Sequence, residues 1–232
     1  MNLKENVISV TTGILTTCFI ILNISCSPKT TPFANGPVMS KKNIRKTFHP
    51  ILEFMEVKPG IVFADVGASS GVFTVMMATL MNNSKFYIQD IDTAVLKSDN
   101  LNKIINYYSK QSKRDLKARN SFYTAIGDKL HSNLPDLSCD IIWSNGTVHN
   151  FTSIDSMMTD LGRKLKPGGL LFLRDSFKND HKEGSFCSDT KCAKPLLTID
   201  EFLNVMNRNG FKLVKRTPDM SGYPVFGFAL TN

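Results

Sequence analysis

Residues 62–74, VFADVGASSGVFT, decide the fold. Ile61 to Asp65 is an apolar run closed by an acid, and it reads as a buried strand. Gly67 to Gly71 is a turn built from small residues. From Val72 the chain runs on as VFTVMMATLM, apolar nearly all round, which predicts a buried helix over 72–81. A buried strand that turns at once into a buried helix is the opening unit of a layered α/β fold.

The same alternation continues outward. NIRKTFHPILEFMEV places Ile44, Phe48, Ile51, Leu52 and Met55 at helical spacing before the first strand, with Pro50 implying a break or a fresh start. Further strands are expected at 85–90, 121–128, 139–145, 170–177, 211–216 and 224–230. Helices are expected at 93–110, 153–165 and 198–210, the last with capping-box spacing from Thr198 to Glu201 and an Asn209-Gly210 stop. KPGG at 166–169 reads as the turn from helix to strand. Strands separated by helices pair in parallel through right-handed crossovers. The last two strands lack an intervening helix and should pair antiparallel at one edge. The expected architecture is a doubly wound, mostly parallel, seven-stranded sheet with helices on both faces, a Rossmann-like α/β fold.

Composition sets the outer bounds. The 232 residues suit one domain with a full core, and 42% apolar with 21% charged residues excludes a disordered chain. The formal net charge is +8, scattered over Lys41–Lys46, Lys110–Arg119 and Arg163–Lys166. It suits either a solvated basic surface or anionic partners such as lipid head groups and acidic substrates. No segment interleaves aromatics with a basic stripe, so a nucleic-acid partner is not expected.

The turn carries the chemistry. A dinucleotide site wants G-x-G-x-x-G, whose middle glycine lets backbone approach a pyrophosphate. Ser69 stands in that place, and Asp65 brings a carboxylate that would repel phosphate and suit an ammonium group. The pattern D-x-G-x-x-x-G resembles motif I of the class I S-adenosylmethionine-dependent methyltransferases, whose usual form has glycine where Ser69 stands. Later strand tips are similar to that family in the same order. Asp90 ends the second strand, Asp128 ends AIGDKL, Asn145-Gly146 follow the fourth strand, and LKPGG precedes the fifth.

The resemblance spans about Lys41 to Asn232. It implies S-adenosylmethionine as cofactor, held by Asp65, Gly67, Ala68, Ser69, Gly71, Asp90, Ile91, Gly127, Asp128 and Asn145. Asp90 would take the ribose hydroxyls, with Asp92 the nearby alternative, and Asp128 the adenine amino group. Asn145 and His149 are the candidate catalytic residues, to orient or deprotonate the acceptor. No metal is implied. The segments Phe33–Pro50 and Ser176–Leu197 should cover the site and select a small-molecule or lipid-like acceptor. The alternative reading is a non-catalytic protein that binds the same nucleoside.

The first residues look like an address. MNLKENVISVTTGILTTCFIILNISC has a short start carrying Lys4, an apolar stretch from Val7 to Ile24, and Cys26 after Ser25. This is the layout of a secretory signal. It resembles the lipobox of bacterial lipoproteins, with Asn23 where leucine is usual. Residues 1–25 would be a signal peptide, 26–40 a polar tether and 41–232 the folded domain. That makes a membrane-anchored lipoprotein of the cell envelope facing the periplasm. An uncleaved N-terminal anchor is the alternative. Cys139 falls in a predicted buried strand. Cys187 and Cys192 are either a short disulfide loop or two free thiols. With no second cysteine pair and only His181 nearby, zinc is disfavoured.

Overall fold

The computed structural model describes residues 32–178, 195–217 and 223–231. Seven strands form one sheet: β1 (Val62–Val66), β2 (Lys85–Asp90), β3 (Ser121–Ile126), β4 (Cys139–Asn145), β5 (Leu165–Arg174), β6 (Phe211–Arg216) and β7 (Phe226–Leu230). Their order is β3-β2-β1-β4-β5-β7-β6. Strands β1 to β5 pair in parallel, while β7 is antiparallel to both β5 and β6. The chain winds outward from β1 to β3, then returns to β4 beside β1. Ligands in such sheets bind at that reversal, beyond the carboxyl ends of the strands.

Among the described residues, six α-helices accompany the sheet: α1 (Lys41–Phe54), α2 (Val72–Ala78), α3 (Ser98–Ser112), α4 (Leu116–Arg119), α5 (Ile154–Lys164) and α6 (Ile199–Arg208). Strand alternation sorts the core into two layers. Phe63, Phe86, Ile88 and Trp143 pack with α1, α2 and α3. Ala64, Val66, Ile142 and Leu173 pack with α5 and α6. Buried Cys139 belongs to the second layer. The Thr198–Glu201 capping box forms, Glu201 N–H donating to Thr198 Oγ1 at 3.2 Å and Thr198 N–H to Glu201 Oε2 at 2.8 Å.

Several expectations are corrected. Pro50 does not break α1, which runs through it because Ile44, Phe48, Ile51 and Leu52 are buried on both sides of the missing N–H. Helix α2 ends at Ala78. Helix α3 begins only at Ser98, because Asp92 turns the chain first, its Oδ1 accepting the Ala94 N–H at 2.7 Å. Short α4 was not foreseen; Asp115 caps it. KPGG is not a turn but part of β5, at a register shift opposite Cys139 and Ile141. The last two strands do pair antiparallel at one edge, as expected, with β7 between β5 and β6.

The expected tether also differs in its described part. Phe33 is buried, its ring 5.6 Å from that of Tyr107 and 5.9 Å from that of Tyr108. Asn100 holds Ala34 from both sides, Oδ1 accepting the Ala34 N–H and Nδ2 donating to its carbonyl. Packing on α3 therefore begins before Lys41. Residues 1–31, with Cys26, and the Cys187–Cys192 pair lie outside the described residues. Among the described residues, no helix is long and apolar enough to cross a membrane.

Candidate active site

The β1–α2 loop is shaped by three left-handed residues: Gly67 (φ +75), Ser69 (φ +53) and Gly71 (φ +80). Gly67 is required by contact, since a Cβ there would lie 2.1 Å from Thr147 Cγ2. Gly71 lets the helix sit on the sheet, because a Cβ there would meet Ile88 Cγ2 at 2.9 Å. Ser69 adopts the conformation that the family's glycine would take freely, at a cost of about 1 kcal/mol. The strain is held by Asp90, whose Oδ2 accepts the Ser69 N–H at 2.6 Å while Oδ1 accepts the Asp92 N–H at 3.0 Å. Each carboxylate oxygen keeps a second acceptor site, and those are what a ribose diol needs.

These tips wall an open cleft with about 820 Å³ of empty space. Of the residues expected there, Gly67, Ser69, Asp90, Ile91 and Asp128 line it. Asp65, Ala68, Gly71, Gly127 and Asn145 are not among its wall residues. Asp65 is buried, its Oδ2 accepting the Thr74 hydroxyl at 2.5 Å. Burial pushes its carboxyl up to about 7; the Thr74 hydrogen bond opposes this and the nearby Asp90 charge adds to it. Asp128 sits at the rim and builds a turn, accepting the Leu130 N–H at 2.7 Å and the His131 N–H at 2.8 Å. Those bonds and the His131 ring hold its carboxyl below the usual range.

Gln89 was missed because it sits next to the more conspicuous Asp90. It is buried, lines the cleft, and its Oε1 accepts the Gly67 N–H at 3.3 Å. Its Nε2 has no hydrogen-bond partner among the described residues. A Cβ on Gly127 would lie 2.4 Å from that nitrogen, so Gly127 makes room for the amide. An orphaned buried donor beside a carboxylate fits a zwitterionic nucleoside, because it can bond to a ligand oxygen.

A second hollow, of about 610 Å³, adjoins the cleft; Phe151 and Thr152 line both. Its walls are largely apolar and aromatic, from Val148, Ile154, Phe177, Leu196, Leu197 and Phe202. Ser176 and Leu197, in a segment expected to cover the site, do line it. Phe33–Pro50 contributes to neither hollow. Two polar side chains in this wall form a pair: His149 Nδ1 lies 2.6 Å from Asp175 Oδ1, with side-chain exposures of 8% and 3%. The His149 N–H donates to Asp175 Oδ2 at 3.0 Å. Asp175 escaped the sequence reading because it was absorbed into the predicted fifth strand; the signal was an acid at the tip beside β4. Asn145 ends β4 and lines neither hollow; its buried Oδ1 lacks a hydrogen-bond partner among the described residues.

Comparison with known proteins follows the same geometry. Residues 64–173 match the model of the methyltransferase domain family. The sheet superposes on an S-adenosylmethionine-dependent methyltransferase from Aquifex aeolicus with a TM-score of 0.57 and 17% identity, covering 82% of this chain and 97% of that one. The glycopeptide N-methyltransferase MtfA, complexed with sinefungin, gives 0.61 and 13%, covering 86% and 90%. The [4+2]-cyclase SpnF gives 0.61 and 16%, covering 86% and 85%. No curated protein sequence matches the chain. Strand order, loop and family match together define a class I S-adenosylmethionine-dependent methyltransferase domain. The protein is an S-adenosylmethionine-dependent methyltransferase, and S-adenosylmethionine is its cofactor.

Proposed function

We propose that this methyltransferase acts on a small or lipid-like acceptor seated in the apolar hollow, and that it works from the envelope membrane. One observation carries the acceptor reading: the polar cleft and the aromatic hollow share the wall residues Phe151 and Thr152. A methyl donor in one and an acceptor in the other would meet across that seam.

The residues divide the work. The Gly67–Ser69 loop, Gln89 and Asp90 would hold the nucleoside, with Asp128 at its rim. His149, on the acceptor side, would orient or deprotonate the acceptor, and Asn145 would assist from the tip of β4. When bound, S-adenosylmethionine supplies an electrophilic methyl group whose C–S bonding pair returns to sulfur. Its leaving group is already good, so positioning by the two walls supplies much of the barrier reduction.

The placement at the membrane rests on the sequence alone: Lys4, the apolar stretch Val7–Ile24, and Ser25-Cys26. Acylated Cys26 would be the anchor, and a net charge of +8 favours an anionic lipid surface. Two experiments test the proposal. Labelled methyl transfer from S-adenosylmethionine to envelope extract should mark an apolar, extractable product. Mass spectrometry of the membrane fraction should find a mature chain beginning at acylated Cys26. A water-soluble labelled product defeats the acceptor reading, and a soluble chain keeping Met1 and an unmodified Cys26 defeats the anchor.

A further inference from the structure

We infer that His149 is the general base of a methyl transfer to oxygen, that Asp175 positions it, and that the acceptor carries a phenolic or enolic hydroxyl on a flat apolar body. The inference rests on the two-hollow reading above. It starts from a tautomer. Asp175 accepts at both oxygens: Oδ1 from the Ser176 N–H at 2.7 Å, Oδ2 from the His149 N–H at 3.0 Å. Such a carboxylate stays an acceptor, so the 2.6 Å contact to His149 Nδ1 requires the proton on that nitrogen. Nε2 is left with a lone pair. Asn150 Nδ2 donates to it at 3.0 Å, and Asn150 lines the cofactor cleft while His149 lines the aromatic hollow. The basic nitrogen therefore sits at the boundary where acceptor and methyl group would meet.

The surroundings choose the acceptor atom. An alkylamine held there would arrive protonated and would need a carboxylate partner. Among the described residues Asp175 is the only acid lining the hollow, and its bonds to His149 and Ser176 commit it. A hydroxyl enters neutral and needs one acceptor, which Nε2 provides when the hydroxyl displaces the Asn150 amide from its single lone pair. Imidazole removes a proton far more readily from a phenol, with a pKa near that of tyrosine at about 10, than from an aliphatic alcohol. Three phenylalanines in the wall, Phe151, Phe177 and Phe202, suit a flat ring by edge and face contact. In the step, the O–H proton passes to Nε2 as the oxygen pair forms the O–C bond. The C–S bond breaks with its pair on sulfur. The imidazolium, held by Asp175, then releases its proton to solvent, which restores the base.

The test uses the full chain with S-adenosylhomocysteine bound and three probes: para-hexylphenol, para-hexylaniline and para-hexylanisole. The phenol should bind about tenfold more tightly than the anisole, and His149→Ala should erase the difference. Nitrogen NMR of His149 should show the Nδ1–H form, shifted towards Nε2–H by Asp175→Asn. With labelled S-adenosylmethionine, the phenol should be methylated on oxygen. Asp175→Asn should lower kcat about tenfold or more with little change in KM, and Asp175→Glu should recover part of it. His149→Gln carries the binding test if His149→Ala fails to fold. Equal binding of phenol and anisole, preferred methylation of the aniline, or an Nε2–H wild type would overturn the proposal. A wild type that does not bind S-adenosylhomocysteine would instead fell the underlying site reading, and this proposal with it.

Discussion

The Asp90 carboxylate accepts the Ser69 amide at 2.6 Å, joining the tip of β2 to the loop that leaves β1. One side chain therefore shapes the loop and also offers free lone pairs to the cleft. Asp90→Ala should weaken S-adenosylhomocysteine binding at least tenfold by calorimetry and also lower the melting temperature. Ser69→Gly separates the two effects. It removes the left-handed strain at φ +53 and should stabilise the protein by about 0.5–1 kcal/mol in urea titration, with the cofactor still bound.

Asp65 sets a pH dependence of stability. Its carboxyl rises from 3.8 to about 7 in the fold, so the folded state holds the proton more tightly than the unfolded chain does. The contribution is present below 3.8 and is lost as pH rises towards about 7. Asp65→Asn has nothing to ionise and can still accept the Thr74 hydroxyl. Without cofactor, the variant should outlast the wild type in urea. The gap should widen by roughly 2–3 kcal/mol between pH 5 and pH 8. A gap that narrows on going to alkaline pH contradicts the burial argument.

Gln89 offers an unusual sign. Its Nε2 is a buried donor without a partner, so Gln89→Leu removes an uncompensated polar group along with the weak 3.3 Å bond to Gly67. Folding stability should hold within about 1 kcal/mol, while affinity for S-adenosylhomocysteine falls about tenfold. Unchanged affinity would show that the amide does not face the ligand.

Asp160 anchors the connection from β3 to β4, which contains no helix. It is buried and accepts from the Ser132 N–H at 2.8 Å and the Ser132 hydroxyl at 2.6 Å, with Arg163 at 3.0 Å. Burial opposes its charge, but those bonds win and hold its carboxyl below the usual range. Asp160→Ala leaves these donors unpaired and should cost about 3 kcal/mol, read by chemical denaturation. Because Asp128 lies in the same connection, cofactor affinity should fall as well.

Legibility followed the range of the interactions. Alternating apolar strands and helices are local patterns, and they announced the sheet, its direction and the acid-tipped loop. Pro50 misled because a local rule met tertiary burial on both sides. KPGG misled because pairing with β4 converts a turn signal into a bulged strand. Among site residues, Asp90 was readable as an acid closing a strand; Asp128 was read the same way, but β3 ends at Ile126 and Asp128 builds the turn beyond it. Gln89 and Asp175 were not readable, because their meaning comes from neighbours far along the chain: Gly67 for one, His149 for the other. Asp65 was readable as an acid at a strand end, but its burial under Thr74 was not.

The late arrival of β7 orders the biogenesis of the sheet. A nascent chain that has emerged from the ribosome only as far as β6 holds β5 with an open flank and β6 with nothing to join, since β7 pairs with both. Emergence of Phe226–Leu230 closes that gap in one event and turns two sticky edges into one. A chain exposed only as far as β6 would present a chaperone with most of a cofactor cleft on an unfinished scaffold.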